Sequence, residues 1–264
     1  MAQLPIYASS QSFLSSDRPF EDEDGRIFLM LAGQPDDPTY AADAAALFTV
    51  MREESASGNF TAKELSHKRG RFPAINAGFT MPNGFREPIN LGNSHHQETV
   101  DRIRAHSGFK RISAYHNGSA RFPIYQPVYS ISHLVSASFA LWNPGLYAYY
   151  RERVQKLCEK MPHLQKNTPK TIFPTAAFNL CNVCTFKHRD TQNCPFGWCA
   201  ITALGSFDAK KGGHIVFSDL KLIVEFPPGS TILIPSATIE HYNIPVAEGE
   251  ERASLTQYCA GNIL

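Results

Sequence analysis

The chain has 264 residues, 43% of them hydrophobic and 19% charged, which is the balance of an ordinary globular protein with a sizeable core. The net charge of +1 does not by itself mark a nucleic-acid binder. It hides a segregation, however: residues 1–62 carry ten Asp/Glu against three Lys/Arg, and residues 63–121 carry ten Lys/Arg against four Asp/Glu. Such a split can prepare one surface for a polyanion. No basic n-region followed by an apolar run opens the chain, so no secretory signal is expected. No stretch approaches the roughly 18 apolar residues needed to span a bilayer. Six cysteines in a chain of this length do not suggest a disulfide scaffold, and a reducing compartment is the simplest expectation.

In chain order, the first forty residues are acidic and loop-like, with one short apolar run at 27–32. Residues 41–55 are rich in Ala and Leu, with their charges gathered at the C-terminal end, which predicts a helix. Gly, Pro and Asn recur at short intervals over 66–94, predicting an extended, turn-rich segment. Helical character returns at 95–107 and at roughly 130–161, where Leu146, Tyr149, Tyr150, Val154 and Leu157 follow i, i+3, i+4 spacing. After Pro169 the pattern changes to short runs of Val, Ile, Phe and Thr, separated by Gly, Pro and Asp. Eight strand candidates follow: 173–180, 183–187, 199–204, 214–217, 221–226, 230–235, 239–246 and 253–259. The expected fold class is α+β: a double-stranded β-helix (jelly-roll) core over 171–264, with a mostly helical half over 1–170 packed against it. No linker separates the halves, so a single domain is expected.

Within the β-rich half stands His188-Arg189-Asp190. In an extended chain residues i and i+2 point to one face, so an imidazole and a carboxylate can reach one ion from adjacent positions. A histidine from a distant strand would complete a facial 2-His-1-carboxylate triad, leaving positions open for a cosubstrate and oxygen. His241, fifty-one residues after Asp190, is the candidate. Eleven residues further, Arg252 offers a planar guanidinium suited to a dicarboxylate's distal end. A lone H-x-D arises by chance in many proteins; the order H-x-D, distant His, nearby Arg is far more demanding. It also argues against a catalytically dead binding protein, in which at least one member would be expected to be lost. Cys181, Cys184, Cys194 and Cys199 form C-x2-C-x9-C-x4-C, which invites zinc. But Cys181 and Cys184 differ by an odd number, which turns them to opposite faces of an extended chain, and free, partly buried thiols are expected instead.

The run 184–193, CTFKHRDTQN, is similar to the C-x-x-x-H-R-D-x-x-N segment of the TET/JBP family of Fe(II)/2-oxoglutarate-dependent nucleic-acid oxygenases. The run 252–258, RASLTQY, resembles that family's R-x-S-L-x-x-Y strand. The resemblance covers residues 172–264. It implies a dioxygenase in which His188, Asp190 and His241 bind iron, while Arg252, Ser254 and His214 hold 2-oxoglutarate, with O2 as co-reactant. Asn193 would hydrogen-bond a flipped base and Tyr258 would stack on it, as a base taken out of the duplex requires. The implied substrate is methylated DNA, with 5-methylcytosine going to 5-hydroxymethylcytosine and further, or N6-methyladenine. The implied location is the nucleus, or the cytoplasm if the substrate is not DNA. The family often places a base-reading histidine where this chain has Ala260, and its cysteine-rich zinc-binding insert has no counterpart here. Since the sequence closes at Leu264, no appended targeting domain is expected. The cations Lys68, Arg69, Arg71, Arg86, Arg102, Arg104, Lys110 and Arg111 are candidates for phosphate contacts, foremost those in 66–88. The alternative from the same residues is a hydroxylase of a small molecule or a protein side chain, because the iron and cosubstrate ligands do not specify the prime substrate.

Overall fold

The computed structural model describes residues 6–7, 18–92, 94–117 and 138–264. Its N-terminal half holds strands β1 (Ile6–Tyr7), β2 (Arg18–Glu21), β3 (Ile27–Gly33), β4 (Ala74–Thr80) and β5 (Ile89–Leu91). Between and after them come helices α1 (Tyr40–Ser57), α2 (Ala62–Leu65), α3 (Gln97–Ala105), α4 (Ser107–Asn117), α5 (Ser138–Trp142) and α6 (Pro144–Lys160). Then follow β6 (Thr175–Asn179), β7 (Cys199–Ser206), β8 (Ile215–Phe217), β9 (Leu222–Val224), β10 (Thr231–Ile234), β11 (His241–Asn243) and β12 (Glu251–Tyr258). The helix expected at 41–55 is α1. The one expected at roughly 130–161 is broken into α5 and α6 at Asn143, whose side chain caps Leu146 N at 3.1 Å ahead of Pro144. The 130–137 part of that expectation lies outside the described residues.

Two sheets form. One has eight strands in the order β2-β3-β10-β7-β12-β6-β4-β5, with every pairing antiparallel. The other has the order β1-β9-β8-β11. Strand alternation sorts the apolar residues into two layers. Met30 and Ala32 of β3, Ala200 and Leu204 of β7 and Leu233 of β10 face the helices. There they meet Leu47, Met51, Phe109, Ile112 and Phe139. Leu29, Leu31, Cys199, Ala203, Ile232 and Ile234 face the other way, against Ile215, Phe217, Leu222 and Val224 of the smaller sheet. The arrangement is helices on sheet on sheet, with apolar contacts between successive layers.

Three expectations change. The N-terminal half is not merely helical support, because β2 to β5 sit in the same eight-stranded sheet as β6, β7, β10 and β12. The apolar run at 27–32 reads as loop because it alternates weakly; it is apolar on both faces because β3 is covered on both. Residues 183–187 do not form a regular strand. They run extended, held by the single bridges Gly70↔Thr185 and His188↔His241. The charge segregation also folds back on itself: Arg102 pairs with Glu53 and Glu54 of α1 at 2.6 Å, and Arg111 pairs with Asp37 and Asp43. Arg104 donates to the Lys166 carbonyl. These helix cations are engaged within the protein rather than free for phosphates.

A buried polar chain ties α4 to the sheet. His116 Nδ1 donates to Gln257 Oε1 at 2.9 Å, and its Nε2 accepts from Thr202 Oγ1 at 2.6 Å. Gln257 Nε2 donates in turn to Ser113 Oγ. Burial holds the His116 imidazole down at about 3, against an ordinary 6.5. The unfolded chain therefore takes up a proton below pH 6.5 that the folded state refuses until about pH 3. The stabilisation is complete above pH 6.5 and falls away as pH drops through that window, at about 1.4 kcal/mol per unit. Urea unfolding at about pH 7 and about pH 5 is expected to show wild type losing about 2 kcal/mol more than His116→Gln; equal losses refute this role. Among the described residues, no helix is long and apolar enough to cross a membrane.

Candidate metal centre and adjoining cleft

The bridge between His188 and His241 builds the site. Their backbones exchange two hydrogen bonds, at 3.1 and 3.0 Å, which hold the rings side by side with centroids 4.4 Å apart. Asp190 is fixed by its own amide, which donates to the Ser236 carbonyl at 2.8 Å. One donor atom each from His188, Asp190 and His241 lies within 4.8 Å of the other two. This is the one such group among the described residues that could hold a metal ion, and the four-cysteine pattern makes none. All six cysteines are free thiols, with Cys194, Cys199 and Cys259 buried.

The tautomers suit a metal. A carbonyl can only accept, so His188 Nδ1 donates to the Phe186 carbonyl at 2.7 Å and His241 Nδ1 donates to the Ile239 carbonyl at 2.9 Å. Both Nε2 lone pairs are thereby left to the site, the orientation that carbonyl partners impose on metal-ligating histidines. Burial lowers the His241 pKa, which keeps its imidazole neutral and able to ligate. Two imidazole nitrogens and one carboxylate oxygen, open on one side, are the donor set of a non-haem Fe(II) site. Arg69, exposed on its other side, brings Nη2 to 2.7 Å from Asp190 Oδ1 and balances the carboxylate charge.

The cleft beyond the triad encloses about 600 Å3 including its open mouth. Its floor comes from β12, where Arg252, Ser254, Thr256 and Tyr258 face it at every second position. Ala253, Leu255 and Gln257 point to the helices instead. Gly205, opposite Arg252 in β7, has φ +144 and leaves no room for a Cβ against the Glu251 carbonyl. Arg252 is only 1% exposed. Among the described residues its guanidinium has no carboxylate partner: Nη1 donates to the Val183 carbonyl at 3.3 Å, and Nε has no partner. Burial lowers its pKa to about 10, still far above neutrality, so the group stays charged. A buried guanidinium without an acid is costly and fits an anionic ligand.

The structure brings His188, Asp190, His241, Arg69, Arg252, Ser254 and Tyr258 into one cleft. Other expected residues lie elsewhere. His214 is buried beside the cleft wall with Nδ1 unpartnered, and does not line the cleft. Asn193 lies behind Tyr258 with its side-chain amide donating to Ser236 Oγ at 3.0 Å. Lys68 and Arg71 are exposed outside the cleft. Sequence reasoning missed Asn179, Thr185, Asn243 and Thr256 as lining residues. Thr256 was within reach, since it continues the alternation of 252, 254 and 258. Asn179 holds Ser254 Oγ at 2.9 Å across the β6–β12 pair, and Thr185 holds Asn243 Oδ1 at 2.9 Å; those contacts depend on strand pairing that no local pattern declares.

No protein-family model and no curated protein matches the chain. Among solved structures, NgTET1 in complex with 5mC DNA is similar at 12% identity and a TM-score of 0.60, over 98% of this chain and 82% of that one. A truncated viral collagen prolyl hydroxylase from Paramecium Bursaria Chlorella virus-1 matches 96% of this chain and 100% of that one, at 13% identity and a TM-score of 0.35. The dioxygenase for auxin oxidation in rice matches 85% of this chain and 70% of that one, at 10% identity and a TM-score of 0.30. The likeness to NgTET1 is one of fold, and at the level of fold the TET/JBP-like resemblance of residues 184–193 and 252–258 holds.

Proposed function

We propose that this chain is an Fe(II)/2-oxoglutarate-dependent dioxygenase that oxidises a methyl group on a modified DNA base, 5-methylcytosine in the first instance. The observation that carries the reading is the meeting, in one cleft, of a metal-competent His188/Asp190/His241 triad and a buried, acid-free Arg252. The two facing sheets are read as the double-stranded β-helix of such enzymes. With the 183–188 segment taken as the edge beside β11, eight extended pieces follow Pro169, as that core needs.

Iron and 2-oxoglutarate, when bound, supply the oxidation of a C–H bond with O2. The residues of this chain do the rest. His188, Asp190 and His241 would hold the ion at the wall of the cleft. Arg252 would receive the distal carboxylate of 2-oxoglutarate, and Asn179 holds the Ser254 hydroxyl by a hydrogen bond across the β6–β12 pair. Tyr258 forms the wall between this end and Asn193 and presents a ring to a flat substrate. Burial raises its phenol to about 12, so the ring stays neutral at physiological pH. An open mouth with the cations Lys68, Arg69 and Arg71 beside it favours a polyanion over a small metabolite, for which an enclosed apolar pocket is the usual solution.

The direct test is mass spectrometry of duplex DNA carrying 5-methylcytosine after incubation with Fe(II), 2-oxoglutarate and O2. Oxidised bases support the reading, and succinate formation with no change in any DNA shifts it to a small-molecule or protein substrate. Tyr258→Ala is expected to remove a stacking contact worth about 1–3 kcal/mol per base while sparing uncoupled succinate formation. Asn193, behind Tyr258, would act on a base only through that ring, so Asn193→Ala is expected to change discrimination among bases less than Tyr258→Ala does. Normal oxidation of methylated DNA by both variants refutes the base-reading roles.

A further inference from the structure

Phe186 is an aromatic side chain that the cleft does not use and the core does not bury. It is 52% exposed, two residues before His188, and its carbonyl receives the His188 Nδ1 proton. Its amide donates to the Arg69 carbonyl at 2.7 Å, and Gly70 bridges Thr185 next to it. Phe186 therefore stands directly opposite Arg69, the residue whose guanidinium runs from that point to Asp190 in the cleft. Directly opposite residues hold their Cβ atoms about 5 Å apart, so the ring sits on the rim of the cleft mouth. A lone exposed Phe is ordinary on a protein surface. This one is distinguished by its neighbours. Lys68 and Arg71, on the same loop as Arg69, are exposed and have no ion-pair partner among the described residues. The cations after Phe186 are engaged instead: Lys187 pairs with Glu240 at 2.8 Å and Arg189 pairs with Asp219 at 3.0 Å. The rim thus offers one apolar ring next to free positive charge, on the side of the mouth formed by the 67–71 loop.

We infer that Phe186 is a specificity-determining wedge that enters the base stack of a duplex and fills the space left when the target base turns into the cleft. This rests on the DNA reading above. The physical need is plain. Extruding a base forfeits stacking and pairing, and an apolar side chain inserted between base steps replaces the lost contact. Lys68 and Arg71 would hold the phosphates on either side of the insertion, contributing affinity without sequence preference. The wedge has no task on a single strand, where the base is already free; opposite an abasic position the pairing is already lost but the stacking is not, so its task there is smaller.

That difference supplies the test. Wild type, Phe186→Ala and Phe186→Tyr are compared on 5-methylcytosine in a paired duplex, in the same strand alone, and opposite an abasic position. Phe186→Ala is expected to raise the duplex KM about ten-fold, the loss of one stacking contact. The single strand is expected to change little, the abasic duplex is expected to lose less than the paired one, and Phe186→Tyr is expected to restore the duplex value. A second measurement needs no turnover. In duplex with 2-aminopurine beside the target, binding of metal-free wild type should raise the fluorescence, whereas Phe186→Ala should bind without the rise. If Phe186→Ala loses as much on single strands as on duplex, or loses nothing and still unstacks the probe, the wedge is refuted. If wild type oxidises none of the three DNA substrates, it is the DNA reading that falls, and the wedge with it.

Discussion

Replacing His188 or Asp190 with alanine is expected to abolish Fe(II)-dependent succinate formation, with or without DNA. Each residue offers one of three donor atoms within 4.8 Å, and among the described residues no further His, Cys, Asp or Glu joins the group. Even partners that only orient a ligand are worth about 10–100-fold in metal affinity or activity, so losing a ligand outright should cost more than about 100-fold. Activity alone does not separate metal loss from misfolding. Co(II) titration followed by its visible absorption supplies the second readout, and Lys187→Ala is the matched control, since its ammonium is exposed and pairs with Glu240 rather than with the site. The expected pattern is normal unfolding curves for all three variants, with Co(II) binding weakened in His188→Ala and Asp190→Ala alone. Wild-type affinity in either would refute the ligand assignment. His241→Ala is less informative, because that side chain is buried and its loss also leaves a cavity between β11 and the His188 segment.

The candidate ligands are legible in the sequence for a reason that differs from regular strand geometry. Spacing places His188 and Asp190 at i and i+2 of a strand, but the chain there is extended without a ladder. What turns both inward is the single bridge to His241 together with the amide of Asp190 on Ser236. The spacing reaches residues that the fold brings together because extended backbone alternates whether or not it is paired on both sides. Arg252, Ser254 and Tyr258 are legible because β12 keeps strict alternation, one face in the cleft and one on the helices. The larger sheet is not legible. Its outer strands β2 to β5 come from the half that reads as helix and loop, and β3 has no polar face to betray its period. The basic segment misleads for a related reason. Counting charges along the chain cannot show that Arg102 and Arg111 lie against Glu53, Glu54, Asp37 and Asp43, which leaves Lys68 and Arg71 as the exposed cations of the loop beside the mouth.

Arg252→Met separates function from stability more sharply than any other substitution in the cleft. The methionine retains most of the bulk at the base of the β12 face and removes the charge. If Arg252 anchors the distal carboxylate of 2-oxoglutarate, losing a desolvated, charge-assisted contact should cost about 2–5 kcal/mol, a rise of roughly thirty-fold or more in the 2-oxoglutarate KM. Fold stability should move the other way. In the ligand-free protein the guanidinium is buried with a long hydrogen bond to the Val183 carbonyl and an unpartnered Nε, and the Phe226 ring centroid lies 5.9 Å from its Cζ. Removing an uncompensated buried charge relieves its desolvation cost, so the melting temperature of ligand-free Arg252→Met should equal or exceed that of wild type. Added 2-oxoglutarate should then raise the wild-type melting temperature and leave that of the variant nearly unchanged, since a ligand stabilises only the form that binds it. A variant that melts lower than wild type while keeping its KM would assign Arg252 to structure. A variant that melts as high while its KM climbs shows that the charge is held in the core for the cosubstrate.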